Sequence, residues 1–122
     1  MNVLSDKKLQ STERGLDLAL RLPWYRGLPL STVEIKLVRI NGETIDTSRM
    51  TLGINDQDFR LDQLAEATRE TWFVLDSAAL HIEWPGATRG REYDVEVILI
   101  LYPPYIPGLA FPSQARSRMR AC

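Results

Sequence analysis

The side chains best equipped for chemistry are few and far apart. The only histidine, His81, lies in a period-two stretch beside Glu83. An imidazole next to a carboxylate can exchange protons near neutral pH, but His81 has no second histidine, no G-x-S-x-G nucleophile turn and no glycine-rich phosphate loop to work with. It reads as a surface or partly paired residue, and an independent enzyme is disfavoured on chemistry alone. The single cysteine, Cys122, allows no intramolecular disulfide and no thiolate zinc site. Asp56, Asp58 and Asp62 depart from the calcium-loop spacing and read as a solvated turn. No metal ligand set is expected in this chain.

Binding chemistry is better represented. The segment LPWYRGLPLS, Leu22 to Ser31, is braced by Pro23 and Pro29, bends at Gly27 and presents Trp24, Tyr25 and Arg26. A stiff loop loses little entropy on binding, and Trp, Tyr and Arg are the commonest interface anchors. Aromatic faces also make platforms for sugars or flat ligands. The plainer alternative is a loop that folds its aromatics onto the end of its own barrel. A second segment, LYPPYIPGLAFP from Leu101 to Pro112, carries Tyr102, Tyr105, Ile106 and Phe111 among four prolines. Too apolar for open water, it either seals an edge of its own sheet or lies against another subunit.

The elements that must hold these loops read as strands. RGLDLALRL sets Leu16, Leu18, Leu20 and Leu22 against Asp17, Ala19 and Arg21. STVEIKLVRI alternates from Val33 through Ile35 and Leu37, changes phase near Val38, and runs into Asn41-Gly42. That pair suits a type I′ turn, with Glu43 to Ile45 pairing back. Arg49 to Ile54, Trp72 to Leu75 and Ala78 to Trp84 are shorter strands, with turns at Asn55-Asp56 and Asp76-Ser77. Around Asp62 to Ala67 the spacing predicts a single helical turn with Asp62 as N-cap. The longest strand, Tyr93 to Tyr102, has apolar residues on both faces from Ile98 onward, so some element of this chain or another covers it. The pattern predicts an all-β, antiparallel β-sandwich of about seven or eight short strands with at most one short helix.

The 122 residues, with 44% of hydrophobic type and net charge −1, describe one globular domain. Residues 1–13 form an N-terminal segment, 14–112 the sandwich, and 113–122 a basic tail. The longest apolar run, Val97 to Tyr102, falls far short of the roughly 18–20 residues of a membrane span. The N-terminus lacks the apolar stretch of a signal peptide, and a cytoplasmic location is expected. Near-neutral charge argues against a nucleic-acid surface. No acidic residue follows Glu96, whereas Arg116, Arg118 and Arg120 close the chain. SQARSRMRAC has little to bury and reads as disordered, or as a contact for an acidic partner.

Taken together, RLPWYRGLPLSTVEIKLVRINGETI resembles the start of the small β subunit of the bacterial C-glycoside deglycosidases. That family carries an Arg-Leu-Pro-aromatic-Tyr-Arg-Gly-x-Pro-Leu-Ser segment before a strand and a V-x-x-D/N-G hairpin. RMTLGI, LDQLAEATRETWFVLDSAALHIE and REYDVEVILILYPPY are similar to it as well, so the likeness spans Gly15 to Pro107. Trp24 departs from the family pattern, in which Tyr is commoner there. The resemblance implies a β-sandwich that works beside a larger TIM-barrel α subunit carrying a divalent metal, usually Mn2+. This chain would hold no cofactor and no catalytic residue of its own. The substrate implied is a 3-keto C-glycoside, cleaved by a carbon–carbon lyase through enolate-assisted elimination. Trp24, Tyr25, Arg26, Tyr102, Tyr105 and Ile106 would then form the substrate rim or partner contact. The residues alone leave two other readings open: a self-standing carbohydrate- or ligand-binding sandwich, and a structural oligomerisation module.

Overall fold

The structure, a computed structural model, describes residues 2–122. It is an antiparallel β-sandwich. One sheet contains, in spatial order, β1 (Leu9–Ser11), β2 (Gly15–Arg21), β9 (Ser77–Glu83), β6 (Met50–Ile54) and β7 (Gln57–Arg60). The other contains β11 (Phe111–Arg120), β10 (Glu92–Leu101), β4 (Val33–Ile40) and β5 (Glu43–Thr44). A two-residue ladder, β3 (Leu28–Pro29) against β8 (Thr71–Trp72), lies apart from both.

The alternation in the sequence becomes the inside and outside of this sandwich. Leu16, Leu18 and Leu20 of β2 and Ala78, Leu80 and Ile82 of β9 face Val95, Val97 and Leu99 of β10 across the core, all buried. Among the described residues no side chain of polar or charged type is buried. The polar tips of the two largest buried side chains are both satisfied: Tyr93 Oη accepts from the Thr88 N–H at 3.0 Å, and the Trp72 indole N–H donates to the Asp76 carbonyl at 3.0 Å. Such pairing avoids the penalty of desolvated polar groups. Gly15 is required by a close approach of strands, because a Cβ there would collide with the Ile82 carbonyl of β9.

Asn41 and Gly42 adopt φ of 52° and 80°, as their type I′ turn requires. The change of phase near Val38 is a bulge: the β4–β10 register shifts between Ile98 and Leu99. It turns Val38 inward and leaves Leu37, expected with the core, on the outer face. Ile98 and Ile100 are half-buried, flanked on the outer face by Leu37 and Gln114, and by Glu34 and Pro112, respectively.

Several expectations need correction. Trp72 to Leu75 is not one strand: β8 ends at Trp72, because Asp76 N–H closes a turn onto the Phe73 carbonyl at 3.0 Å and the buried indole clamps it. The helical turn is a 3-10 segment, Leu61–Glu66, and it starts at Arg60 rather than at Asp62. The Arg60 backbone N–H donates to Gln63 Oε1 at 2.9 Å, and Asp62 lies inside the first turn. The last ten residues are no disordered tail. Ser113 to Arg120 continue the strand begun at Phe111, which pairs with β10 over its full length, and Ala115, Met119 and Ala121 are buried. Cys122 then bonds across to β1 through Ser11 N–H and Leu9 carbonyl, joining the edges of the two sheets.

Candidate functional site

Three connections meet at one end of the sandwich. Pro23 roots the loop after β2, and Pro103 roots the loop between β10 and β11; both prolines are buried. Their fixed φ aims the following residues outward as a unit. Trp24 donates its indole N–H to Tyr105 Oη at 2.6 Å, and Tyr105 donates in turn to Tyr25 Oη at 3.0 Å. The Arg26 guanidinium sits 5.1 Å from the Tyr105 ring centre, a cation–π distance. Trp24 also meets Tyr25 at 5.2 Å and Phe111 edge-on at 5.3 Å. These contacts lock two proline-braced loops together, and they spend the polar tips of Trp24 and Tyr105 inside the chain. Tyr25 remains 61% exposed, so the cluster presents its ring together with a hydroxyl that can still donate.

The hydroxyl of Tyr105 raises the Tyr25 phenol above the ordinary tyrosine range, against the opposing pull of Arg26. Of the residues singled out from the sequence, Trp24, Tyr25, Arg26 and Tyr105 come together here. Ile106 occupies the exposed turn that follows, closed by its N–H on the Pro103 carbonyl at 3.1 Å. Tyr102 points elsewhere: it donates to Glu34 Oε1 at 2.7 Å, beside β4, and that bond raises its own phenol pKa.

The structure adds three residues that the sequence reading did not place in the site. Phe111 completes the edge-on contact with Trp24. Phe73 and Leu75 stand exposed on the turn after β8, and Phe73 lies against Gly27 of the Trp24 loop. Their signal was present as a run of apolar residues before Asp76-Ser77, but a run of that kind also reads as a strand.

His81 is remote from this end, on the outer face of the five-stranded sheet. Its Nδ1 lies 2.8 Å from Asp17 Oδ1 and its Nε2 3.3 Å from Asp58 Oδ1. A Cβ on Gly53 would come within 2.8 Å of Nε2, so the glycine makes room for the ring. The ring faces a cleft of about 520 Å³ that also includes Arg14 and Arg49. Among the described residues, no three His, Cys, Asp or Glu side chains are grouped to hold a metal ion. The resemblance assigns its divalent metal to the partner subunit, and the described residues of this chain offer it no ligand set. None of the described helical segments is long and apolar enough to cross a membrane.

Fold and surface together define a two-layer antiparallel β-sandwich that presents a self-braced aromatic end. Sequence comparison sharpens this. Residues 2–105 match the C-glycoside deglycosidase beta subunit family, and the chain belongs to that family. It is 34% identical over 106 residues to a Microbacterium protein named 3'-dehydrocarminate deglycosidase beta subunit, covering 86% of this chain and 79% of that one. It is 37% identical over 87 residues to a C-glycoside deglycosidase beta subunit of Microbacterium trichothecenolyticum, and 34% identical over 87 residues to one of Arthrobacter globiformis. Those two matches each cover 71% of this chain and 66% of the relative. Membership implies one chain of a heteromeric enzyme.

Proposed function

We propose that this chain is the non-catalytic subunit of a carbon–carbon lyase that cleaves 3-keto C-glycosides, and that it completes the site of a larger, metal-dependent TIM-barrel subunit. The observation that carries the reading is the braced aromatic end in a member of a family of beta subunits. Aromatic faces held rigid at a loop end suit the rim of a barrel, where βα loops build active sites. The chemistry requires help of this kind. A ketone at C3 acidifies the C2 proton, and loss of that proton lets the bond from C1 to the aglycone carbon break by elimination. Carbon is a poor leaving group, so the departing ring must also receive a proton. The larger subunit would supply the metal that stabilises the enolate. Trp24, Tyr25, Arg26 and Tyr105 would cover the aglycone side and exclude water, with Ile106 extending the contact area. A relative named for 3'-dehydrocarminate supports an oxidised glycoside as the substrate.

Co-expression with the larger subunit tests the proposal. The pair is expected to co-elute and to release aglycone from a 3-keto C-glycoside only when a divalent metal is supplied, with neither chain active alone. A lone chain that binds simple sugars unaided would sink it and favour the self-standing binding module. Within the pair, Trp24→Ala or Arg26→Ala should weaken assembly or turnover by roughly 2 kcal/mol, the loss typical of an interface anchor. Wild-type assembly and turnover in both variants would reduce the loop to a cap on its own sandwich.

A further inference from the structure

Leu75 is the most exposed large apolar side chain among the described residues, at 84%, and its neighbour Phe73 is exposed at 56%. Neither is loose. Their turn is closed by the Asp76 N–H on the Phe73 carbonyl at 3.0 Å. It is clamped from beneath by the fully buried Trp72, whose indole donates to the Asp76 carbonyl. Arg21, itself paired with Asp6, reaches the Val74 carbonyl at 3.4 Å and ties the turn to β2. A leucine held outward by a fixed turn cannot retract toward its own core, so water is excluded from it only by another molecule. The anchoring entropy has been spent in the fold, which is the condition under which one side chain contributes most to binding.

We propose that the turn Phe73–Asp76 is the anchor by which this chain grips the larger subunit, with Leu75 inserted into an apolar pocket on that partner and Phe73 packed at its rim. The inference rests on the heteromeric reading above and assigns its principal grip to residues outside the Trp24 cluster. The occupant follows from two observations. The chain belongs to a family of beta subunits, so a different protein is its resident companion. The turn is also continuous with the aromatic end, because Phe73 lies against Gly27 in the loop that carries Trp24, Tyr25 and Arg26. A partner seated on that loop therefore reaches Leu75 without leaving the surface. The division of labour follows from chemistry. The Trp24 cluster has polar tips as well as ring faces, with the exposed Tyr25 hydroxyl and the Arg26 guanidinium among them, whereas Leu75 offers only shape and apolar area.

The test uses full-length chain and larger subunit, with affinity measured by surface plasmon resonance and oligomeric state by sedimentation. Leu75→Asp should weaken the pair at least about 30-fold, the loss expected on removing an anchor, and Leu75→Met should restore most of it. The melting temperature of the isolated chain should not change, since Leu75 makes no core contact. If Leu75→Asp pairs within threefold of wild type while Trp24→Ala loosens the complex, the heteromeric reading stands and this anchor does not. If the wild-type chains fail to associate, the heteromeric reading itself fails. If wild type alone is a dimer that Leu75→Asp separates, the turn serves a second copy and the inference is overturned.

Discussion

Tyr105 is the residue on which the aromatic end turns. Its hydroxyl accepts from Trp24 and donates to Tyr25, and its ring carries the Arg26 guanidinium, so one side chain connects both loops. Removing the hydroxyl leaves the rings in place but frees the loops from each other. Tyr105→Phe should therefore lower stability by no more than about 1–3 kcal/mol, since it removes two exposed hydrogen bonds of about 0.5–1.5 kcal/mol net each. The amide protons of residues 24–27 and 104–107 should meanwhile exchange faster with solvent. Protection factors unchanged from wild type would show that the prolines alone fix the loops. The sequence displayed both aromatic segments but could not show which tips meet. Trp24 and Tyr105 are 81 positions apart, and only the adjacency of the β2 and β10 ends brings them within 2.6 Å. Tyr102 shows the converse: its neighbours in sequence suggested the cluster, while strand pairing delivered it to Glu34 instead.

At the scale of the element, β11 carries the lesson. Arg116 bonds Asp94 through two parallel contacts of 3.1 and 2.6 Å, and Arg118 and Arg120 both reach Glu92. The charge imbalance along the chain is thus a pairing pattern: the register sets acids on the water-facing side of β10 opposite basic residues of β11, and Arg116 and Arg118 bond the acid diagonally next to the one they face. Reversal by Arg116→Glu should lower the melting temperature and steepen its dependence on low ionic strength, because Glu would then face Asp94 and Glu96. Adding Asp94→Arg should recover much of the loss, and a double variant no better than the single one would show that the pair has no coupling. The strands with long alternating runs, β2, β4, β9 and β10, were legible from the sequence because each buries one face in the core. So was the Asn41-Gly42 turn, whose geometry few residue pairs satisfy. β11 also alternates, with Ala115 and Met119 inside and arginines outside, but Ser113, Ala115 and Ser117 on its inward side leave Met119 as its one strong apolar signal. β7 escaped for another reason. Its hairpin turn, Asn55-Asp56, with φ of 54° and 59°, was legible, but QDFR is an exposed edge strand whose one apolar residue, Phe59, gives no alternation to read.

The whole molecule is polarised. One end exposes Tyr25, Phe73, Leu75, Tyr105, Ile106 and Phe111, while the opposite end gathers Arg14, Glu43, Arg49, Glu83 and Arg91 around Trp84. The core between them holds no ionised side chain among the described residues, so the pH response of the fold is set at its surface. Asp6 is held below the ordinary carboxylate range by Arg21, Asp46 by the Ser48 N–H, Asp94 by Arg116, and Glu96 by Gln114 and then Arg39. A carboxylate whose pKa is lower folded than unfolded contributes stability that is fully present above its unfolded value. That contribution is lost as pH falls through the folded one. Melting temperature should therefore begin to fall as pH drops through about 4, where unfolded carboxylates protonate, and should fall further as the paired ones follow. Added salt should shrink that acid limb, because the groups are exposed and their attractions are screened. Asp94→Asn removes one of these carboxylates, together with the charge that raises Arg116 above its usual value, and should flatten the limb. An acid limb that superimposes on wild type in Asp94→Asn, or that ignores salt, would mean that the seam between β10 and β11 is held by backbone pairing alone.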